Sequence, residues 1–204
     1  MLKKAKLGVL KFMYKIKALI YRAQGIKVGK STFISGFPWF YKKKGAQIII
    51  GDKVTLHSKR KFNTLITNSV SISAVEPGAV VELKENCGLS GCKIVCANKV
   101  SIGKYTMIGP DTVIYDCKEH EYNEETGWLS CKKRTGKPII IGDKCFIGMR
   151  CIILKGVTIG DNCVISAGTI ITKDVPAGHL ASGNPAVYTP LAPHNGGPKD
   201  IQSN

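Results

Sequence analysis

The feature of this chain that most constrains its fold is an aliphatic residue that returns every six positions. In the second half of the chain this residue is always isoleucine, at Ile141, Ile147, Ile153, Ile159, Ile165 and Ile171. An α-helix would repeat its apolar face every three or four residues, and a half-buried strand every two. Because neither matches this period, each hexad is interpreted as one short strand with an inward aliphatic side chain, followed by a corner.

Small residues occupy the other constrained positions of these hexads. The residue after the aliphatic is usually Gly or Ser, and the fourth residue after it is small or β-branched. Such residues suit tight corners and a narrow interior. Three hexads would close one triangular coil, so Ile141 is expected to stack on Ile159, and Ile147 on Ile165. The pattern therefore predicts a solenoid in which each coil pairs only with its neighbours.

The repeat extends upstream and is interrupted once. The strict frame recurs at Ile102, Ile108 and Ile114, a looser form covers Val81, Cys87 and Ile94, and a single hexad begins at Ile50. After Ile114 the frame stops, and it resumes at residues 139–141. The residues between, 115–138, are polar and contain His120. Because solenoids place binding chemistry on loops that leave one face, this insertion is the predicted functional loop.

The hexads, the loop with its histidine and the closing segments ITKDVP and GNPA together resemble the hexapeptide-repeat acyltransferases, in their galactoside, maltose and polysaccharide O-acetyltransferase branch. The resemblance covers about residues 48–188. It implies an all-β fold, a left-handed parallel β-helix of three sides, and a homotrimer with active sites between subunits. The expected organisation is a basic amphipathic helix over residues 1–24, the β-helix domain over 25–190 with its extruded loop 115–138, and a disordered tail over 191–204.

The resemblance also implies an acetyl-CoA-dependent O-acetyltransferase that acts on a sugar or glycan-precursor hydroxyl. A sugar hydroxyl is a poor nucleophile at neutral pH, whereas a thioester is already activated, so a general base is sufficient for direct transfer. The loop histidine, His120, is the expected base. Asp116 is either the group that orients His120 or a turn residue. Trp128 is either a platform for a sugar ring or an anchor that holds the loop to the coil.

The expected cofactor site lies in the last coils. By resemblance, the pantetheine arm contacts Gly148-Met149 and Ala167-Gly168, and the backbone N–H of Met149 helps to hold the oxyanion. Thr172 and Lys173 match the segment whose lysine approaches the nucleotide phosphates, and Gly183 opens the GNPA segment. Relatives usually carry Arg where this chain has Val187, so their contact with the 3′-phosphate or adenine is not expected from this position. Either CoA binds more weakly or a cation from elsewhere replaces the Arg.

Charge is concentrated at one end of the chain. The net charge is +16, and residues 1–24 contain seven Lys or Arg and no acid. In a helix, Val9, Phe12, Met13, Ile16, Leu19 and Ile20 would share one side. This segment is too basic to span a bilayer. It either caps the lower end of the solenoid or lies on an anionic membrane surface. No nucleic-acid-binding motif accompanies the charge. The protein is expected in the cytoplasm, either free or peripheral at the inner face of the membrane.

Three alternatives to this function are a zinc hydratase, a non-catalytic scaffold and an N-acyltransferase. The four histidines are not paired in the way a zinc hydratase of this fold needs, so no metal is expected. A non-catalytic scaffold would give no reason for His120 in the loop. Transfer to the nitrogen of an amino sugar or xenobiotic is the main alternative reaction, since His120 would serve either acceptor.

The eight cysteines include no CxxC pair and are expected to be small core residues without disulfides.

Overall fold

The computed structural model describes residues 16–192, which form one helix and a series of short strands. The helix occupies residues 16–23 and precedes the first strand. The first strands are β1 Lys27–Val28, β2 Phe33–Ser35, β3 Trp39–Lys42, β4 Gln47–Ile50, β5 Thr55–His57, β6 Ser71–Ala74, β7 Val80–Leu83, β8 Gly88–Ser90, β9 Lys93–Cys96, β10 Lys99–Ile102 and β11 Met107–Ile108. They are followed by β12 Val113–Tyr115, β13 Cys117–Asn123, β14 Gly127–Gly136, β15 Ile139–Ile141, β16 Phe146–Ile147, β17 Ile152–Leu154, β18 Thr158–Ile159, β19 Val164–Ile165, β20 Ile170–Ile171, β21 His179–Ser182 and β22 Val187–Pro190.

Three sheets form the faces of a left-handed parallel β-helix, which confirms the predicted fold class. Face A has the order β1-β4-β7-β10-β15-β18, and face C has the order β3-β6-β9-β12-β17-β20. Face B has the order β2-β5-β8-β11-β16-β19-β21-β22, and its last strand alone is antiparallel to its neighbour. Within the described range, no helix is long and apolar enough to cross a membrane.

The predicted stacking of the hexads is confirmed. Ile141 pairs with Ile159 on face A, and Ile147 pairs with Ile165 on face B, each in a parallel register. The inward aliphatics are buried in one continuous core. All eight cysteines are free, and seven of them are buried, as expected for small core residues; Cys131 is the partly exposed one.

In the looser stretch of the repeat, Ile94 lies in the predicted column and pairs with Ile114, but the frame before it differs from the one predicted. Leu83 pairs with Ile102, and Leu89 pairs with Ile108, so Leu83 and Leu89 continue the hexad columns. Val81 is also buried, because β7 is long enough to point two residues inward. The sequence pattern was misread there because a strand with two inward positions offers two competing aliphatic frames.

Hydrogen bonds inside the corners explain the small residues at the fourth hexad position. The hydroxyl of Thr112 donates to the carbonyl of Gly148 at 2.8 Å, one coil away. The thiol of Cys151 donates in the same way to the carbonyl of Ser166 at 3.1 Å. Desolvation by burial raises the pKa of the Cys151 thiol, which keeps it protonated as a donor. Threonine and cysteine are therefore equivalent here, since each fits the corner and satisfies a carbonyl of the next coil.

Two segments leave the coils at the edges of the prism. We call the corners that join face B to face C the B–C edge, and those that join face C to face A the C–A edge. The segment 117–136 leaves at the C–A edge, between β12 and β15. Loop 58–70 leaves at the B–C edge, between β5 and β6. The expectation of a single insertion is therefore wrong, because the Lys-rich loop 58–70 interrupts a part of the chain where the hexad pattern is already weak.

The helix packs against the lower end of the solenoid through a side that differs from the apolar stripe of the sequence. Ala18 and Tyr21 are buried, and the hydroxyl of Tyr21 donates to the carbonyl of Pro38 at 3.2 Å. Leu19 and Ile20 of the predicted stripe are instead 60% and 51% exposed. The rest of the predicted helix, residues 1–15, and most of the predicted tail, residues 193–204, lie outside the described residues.

Candidate active site

The segment expected to be an extruded loop is an antiparallel β-hairpin formed by β13 and β14. His120 pairs with Ser130 across the two strands, next to a shift of register between Lys118 and His120. The side chain of His120 is exposed. Among residues 16–192 its imidazole makes no hydrogen bond, so both ring nitrogens are free to contact a substrate. The hairpin was not predicted because its strands are polar on both sides and lack the alternation of a half-buried strand.

Charged contacts hold the root of the hairpin against the C–A edge. The Nε of Arg134 lies 3.0 Å from the carboxylate of Glu119 across the hairpin. The backbone N–H of Arg134 donates to Glu76 at 3.0 Å, and Lys43 forms an ion pair with the same carboxylate at 3.0 Å. The hydrogen bond from Arg134 and the one from Lys43 lower the pKa of Glu76. These contacts fix where the hairpin leaves the solenoid.

Asp116 is buried at this root and is occupied by the corner beside it. Its carboxylate accepts hydrogen bonds from the backbone N–H of Ala97 at 2.6 Å and of Asn98 at 2.9 Å. The thiol of Cys96 also donates to it at 3.3 Å. Within the described part of the chain, Asp116 makes no contact with His120. The contacts match the turn role considered for Asp116, and its role as the orienting group of His120 is without support from them.

The far half of the hairpin is apolar and exposed. Trp128 and Tyr122 form an edge-to-face pair with ring centroids 5.6 Å apart, and their side chains are 73% and 63% exposed. Leu129 beside them is also exposed. Trp128 thus does not anchor the hairpin to the coil, and its indole is accessible to a ligand or a second protein surface.

Four of the predicted cofactor residues meet at the B–C edge of two adjacent coils. The N–H of Gly168 donates to the carbonyl of Met149 at 2.8 Å. A Cβ at Gly148 would lie 2.5 Å from the backbone nitrogen of Ala167, so only glycine fits this close approach. In the described structure the backbone N–H groups of Met149 and Ala167 have no acceptor. The edge therefore presents two free donors beside a narrow slot.

The three remaining cofactor residues are divided between two edges. Gly183 lies above the same B–C edge, where its backbone N–H donates to the Thr169 hydroxyl at 3.2 Å. Thr172 and Lys173 follow β20 on the C–A edge, which also bears the hairpin. Val187, where relatives usually have Arg, is 62% exposed at the start of β22. One protomer thus presents the slot on one edge, and His120 and Lys173 on the other.

No group of three or more His, Cys, Asp or Glu residues between positions 16 and 192 could hold a metal ion.

The sequence did not reveal that residues 58–70 form a loop on the B–C edge below the slot. The run Lys59-Arg60-Lys61 was visible in the sequence, but its charge alone gave no position in the fold.

Comparison with known proteins agrees with this fold. The family model "Hexapeptide repeat of succinyl-transferase" matches residues 138–173. Nodulation protein L of Rhizobium leguminosarum bv. viciae is 45% identical over 142 residues, which covers 63% of this chain and 72% of that protein. Nodulation protein L of Rhizobium meliloti (strain 1021) is 38% identical over 128 residues, covering 56% and 68%.

Solved structures share the fold at low sequence identity. A hexapeptide-repeat acetyltransferase of Vibrio cholerae O1 biovar eltor, solved with acetyl-CoA, has a TM-score of 0.54 and 18% identity, and the match covers 91% of this chain and 82% of that one. The N-acyltransferase AntD of Bacillus cereus has a TM-score of 0.57 and 15% identity, with 84% and 86% covered. Given the hexad columns, the family match and the extent of the likeness to Nodulation protein L, this chain belongs to the hexapeptide-repeat acyltransferase family.

Proposed function

We propose that the protein is an acetyl-CoA-dependent O-acetyltransferase that acts on a hydroxyl of a sugar or glycan precursor. The observation that carries the proposal is the pair of free backbone donors, Met149 and Ala167, beside the glycine-lined slot of the B–C edge. A thioester carbonyl that enters such a slot gains hydrogen-bond donors for its developing oxyanion without displacing an existing bond. The Vibrio cholerae protein of the same fold binds acetyl-CoA, which supports this choice of donor.

In this mechanism His120 accepts the proton of the acceptor hydroxyl as its oxygen attacks the thioester carbon. The resulting tetrahedral oxyanion is held by the N–H of Met149. Collapse of the intermediate expels the CoA thiolate, which takes the proton from the imidazolium, and the acetyl ester remains on the acceptor. General-base assistance of this kind contributes roughly 10²–10⁴-fold to the rate. Lys173 serves as the point charge for the CoA phosphates.

The active site is proposed to form between protomers of a homotrimer. In one protomer, face C separates the slot on the B–C edge from His120 on the C–A edge. When the C–A edge of one copy faces the B–C edge of the next, the base approaches the slot of its neighbour. The exposed pair Tyr122 and Trp128 would then lie at this junction, where Trp128 could contact the sugar ring.

A CoA-release assay against a panel of sugars, amino sugars and nucleotide sugars tests the proposal, because the panel separates O-transfer from N-transfer. We expect His120→Ala to lower kcat by 10²-fold or more, as about 10²–10⁴-fold is the share of a general base. CoA affinity, measured by calorimetry, should stay unchanged. His179→Ala is the matched control, since among the described residues the ring of His179 bonds only to the Ala177 carbonyl of its own segment. Near-native turnover of His120→Ala would exclude His120 as the general base. A wild-type protein that does not bind CoA would refute the proposed function.

The lower end of the solenoid is proposed to rest on an anionic membrane surface. Exposed apolar side chains lie there on two neighbouring segments. Leu19 and Ile20 are on the helix, and Phe37 and Trp39 flank Pro38, whose carbonyl accepts the hydrogen bond from the helix. The preceding residues 1–15 carry five lysines and no acid in the sequence. Apolar and aromatic side chains beside clustered lysines favour the interface of anionic lipid over a neutral surface.

Co-sedimentation of the full chain with vesicles of phosphatidylcholine, with and without phosphatidylglycerol, tests this surface. We expect binding only when the anionic lipid is present, and a clear loss of binding in Leu19→Ser/Ile20→Ser. Val187→Ser/Leu191→Ser removes two exposed apolar residues at the opposite end of the solenoid and should bind like the wild type. Equal binding of both double variants would refute the proposal.

A further inference from the structure

Loop 58–70 occupies the B–C edge below the proposed slot. It leaves face B after β5 and enters face C at β6, so it replaces what would be a tight corner in a regular coil. Higher on the same edge lie Asp111, then Arg150, and then Gly168, each in the next coil. The slot at Gly148 and Gly168 and the loop therefore belong to one continuous edge of the protomer.

Three contacts fix this loop to the solenoid. The ring of Phe62 stacks on His57 with centroids 5.6 Å apart and planes at 17°. Ile66 is buried beside Gly91, where a Cβ would come within 3.2 Å of the isoleucine side chain. The hydroxyl of Thr67 donates to the carboxylate of Asp111 at 2.6 Å. Because these contacts hold the loop along its length, its surface has a fixed shape.

The amide of Asn68 completes the contact at the far end of the loop. It donates to Asp111 at 3.0 Å, beside the bond from Thr67. Burial opposes the ionisation of Asp111, but the hydrogen bonds from Thr67 and Asn68, together with the nearby charges of Arg150 and Lys93, lower the pKa of the carboxyl. The charge of Asp111 is therefore engaged within the edge.

The start of the loop, before Phe62, presents positive charge. Lys59, Arg60 and Lys61 are all exposed, and so are Lys93 and Arg150 beside Asp111. Within residues 16–192, Asp111 is the one acidic residue in the segments of the B–C edge. The exposed cations of this edge form no ion pair with a carboxylate in the described structure, although the charges of Lys93 and Arg150 act on Asp111.

We propose that loop 58–70, together with Lys93, forms the acceptor subsite, and that the acceptor is an anionic saccharide. This inference rests on the proposed function, since it places the acceptor on the same edge as the thioester. An acceptor hydroxyl must reach the slot from a direction that the cofactor does not fill. The far end of loop 58–70 reaches the coil directly below the slot, because Thr67 bonds to Asp111 and the N–H of Arg150 donates to the carbonyl that precedes Asp111. Exposed lysines recognise phosphate or carboxylate as point charges and steer such a ligand to the edge.

Calorimetry with the full chain and saturating CoA tests the inference, because bound CoA already fills the cofactor site when the saccharide probe is added. The carboxylate probe is a galacturonate hexasaccharide, compared with its fully methyl-esterified form. The phosphate probe is UDP-glucose, compared with glucose. We expect at least one anionic probe to bind about tenfold more tightly than its neutral counterpart, and to weaken as salt is raised. Which of the two binds identifies the source of the charge.

The decisive variant is Lys59→Gln/Lys61→Gln/Lys93→Gln, which leaves every anchor of the loop in place. We expect it to bind the anionic probe about tenfold more weakly. Lys30→Gln/Lys104→Gln/Lys144→Gln makes the same change of charge at exposed positions on the edge between faces A and B, and should bind like the wild type. Equal melting temperatures of the two variants establish that the loss is not one of folding.

Three outcomes would overturn the inference: neutral and anionic probes that bind alike or not at all, control and decisive variants that weaken binding equally, or a decisive variant whose loss is in CoA affinity. Failure of the proposed function is separate, because it appears as a wild-type chain that does not bind CoA in the same titration.

Discussion

Loop 58–70 and the hairpin 117–136 interrupt the same solenoid but relate to it in opposite ways. The loop returns to the body and ends there, with Ile66 buried and Thr67 bonded to Asp111. The hairpin is fixed at its root by Glu76 and Asp116, whereas its far half exposes Tyr122 and Trp128. The loop is thus packed against its own protomer, whereas the far half of the hairpin is a surface without a partner in the described chain.

The difference shows what an insertion needs in order to be stable on its own. A two-stranded hairpin in water is at best marginally stable unless it packs on something else. Loop 58–70 meets this requirement within the protomer by burying an aliphatic residue. The hairpin meets it only at its root, and we therefore expect a second copy of the chain to cover the rest.

The largest expected effect is loss of the root of the hairpin. Asp116→Ala leaves the backbone N–H groups of Ala97 and Asn98 without their acceptor in a buried corner. We expect the free energy of unfolding to fall by about 2–4 kcal/mol, since each buried donor left unpaired costs about 1–3 kcal/mol. Urea unfolding measures this loss. A His120→Ala protein should unfold like the wild type, and an Asp116→Ala protein of unchanged stability would contradict the contacts described.

Next in size is the weakening of self-association. Tyr122→Ala/Trp128→Ala removes the exposed aromatic pair, and we expect the dissociation constant of the oligomer to rise by roughly tenfold or more, as aromatic residues dominate interface energies. Sedimentation equilibrium gives this constant. Phe62→Ala is the matched change on the loop, and it should alter stability but not association. If both variants assemble like the wild type, the hairpin does not make the interface.

A smaller effect is expected at the far anchor of the loop. Asp111→Ala removes the acceptor of Thr67 and Asn68, which are exposed, so the cost should be about 1 kcal/mol. The loss should be local, with faster hydrogen exchange in residues 58–70 and unchanged exchange in 117–136. Faster exchange in both segments would mean that the two insertions are not independent.

The smallest effect concerns pH at the first anchor of the loop. Burial lowers the pKa of His57, so the unfolded chain binds a proton more readily than the folded one. The stability contributed by this site is therefore present above pH 6.5, the ordinary pKa of histidine, and declines as the pH falls below it. We expect His57→Phe, which keeps a ring against Phe62, to reduce this slope in urea unfolding between pH 5 and pH 7, in steps of about half a unit. An unchanged slope would exclude His57 as its source.

The upper coils could be predicted from sequence because one residue type repeats there with one spacing. Ile141 and Ile159 sit in strands with a single inward aliphatic, so the period in sequence equals the period in space. Lower in the solenoid, β7 points both Val81 and Leu83 inward, and the frame became ambiguous. The predictability of a coil thus depends on how few residues of each strand face the core.

The candidate site was less predictable because its geometry depends on hydrogen bonds that leave no pattern in sequence. Gly148 and Met149 were found through the family motif, but the free N–H of Met149 is visible only once the corner is built. Asp116 was singled out by its nearness to His120 in sequence, whereas its partners Ala97 and Asn98 come from the preceding coil. Contacts between coils join residues a full turn apart, and spacing along the chain does not reveal them.

The coils also set a scale of length along the B–C edge. Asp111, Arg150 and Gly168 occupy successive coils, and adjacent parallel strands lie about 4.8 Å apart. A duplicated coil would leave every local contact intact and yet move loop 58–70 one such step farther from Met149. Point substitutions can therefore adjust which chemical groups a chain of this kind binds, while the number of turns decides how long a molecule it can accommodate from end to end.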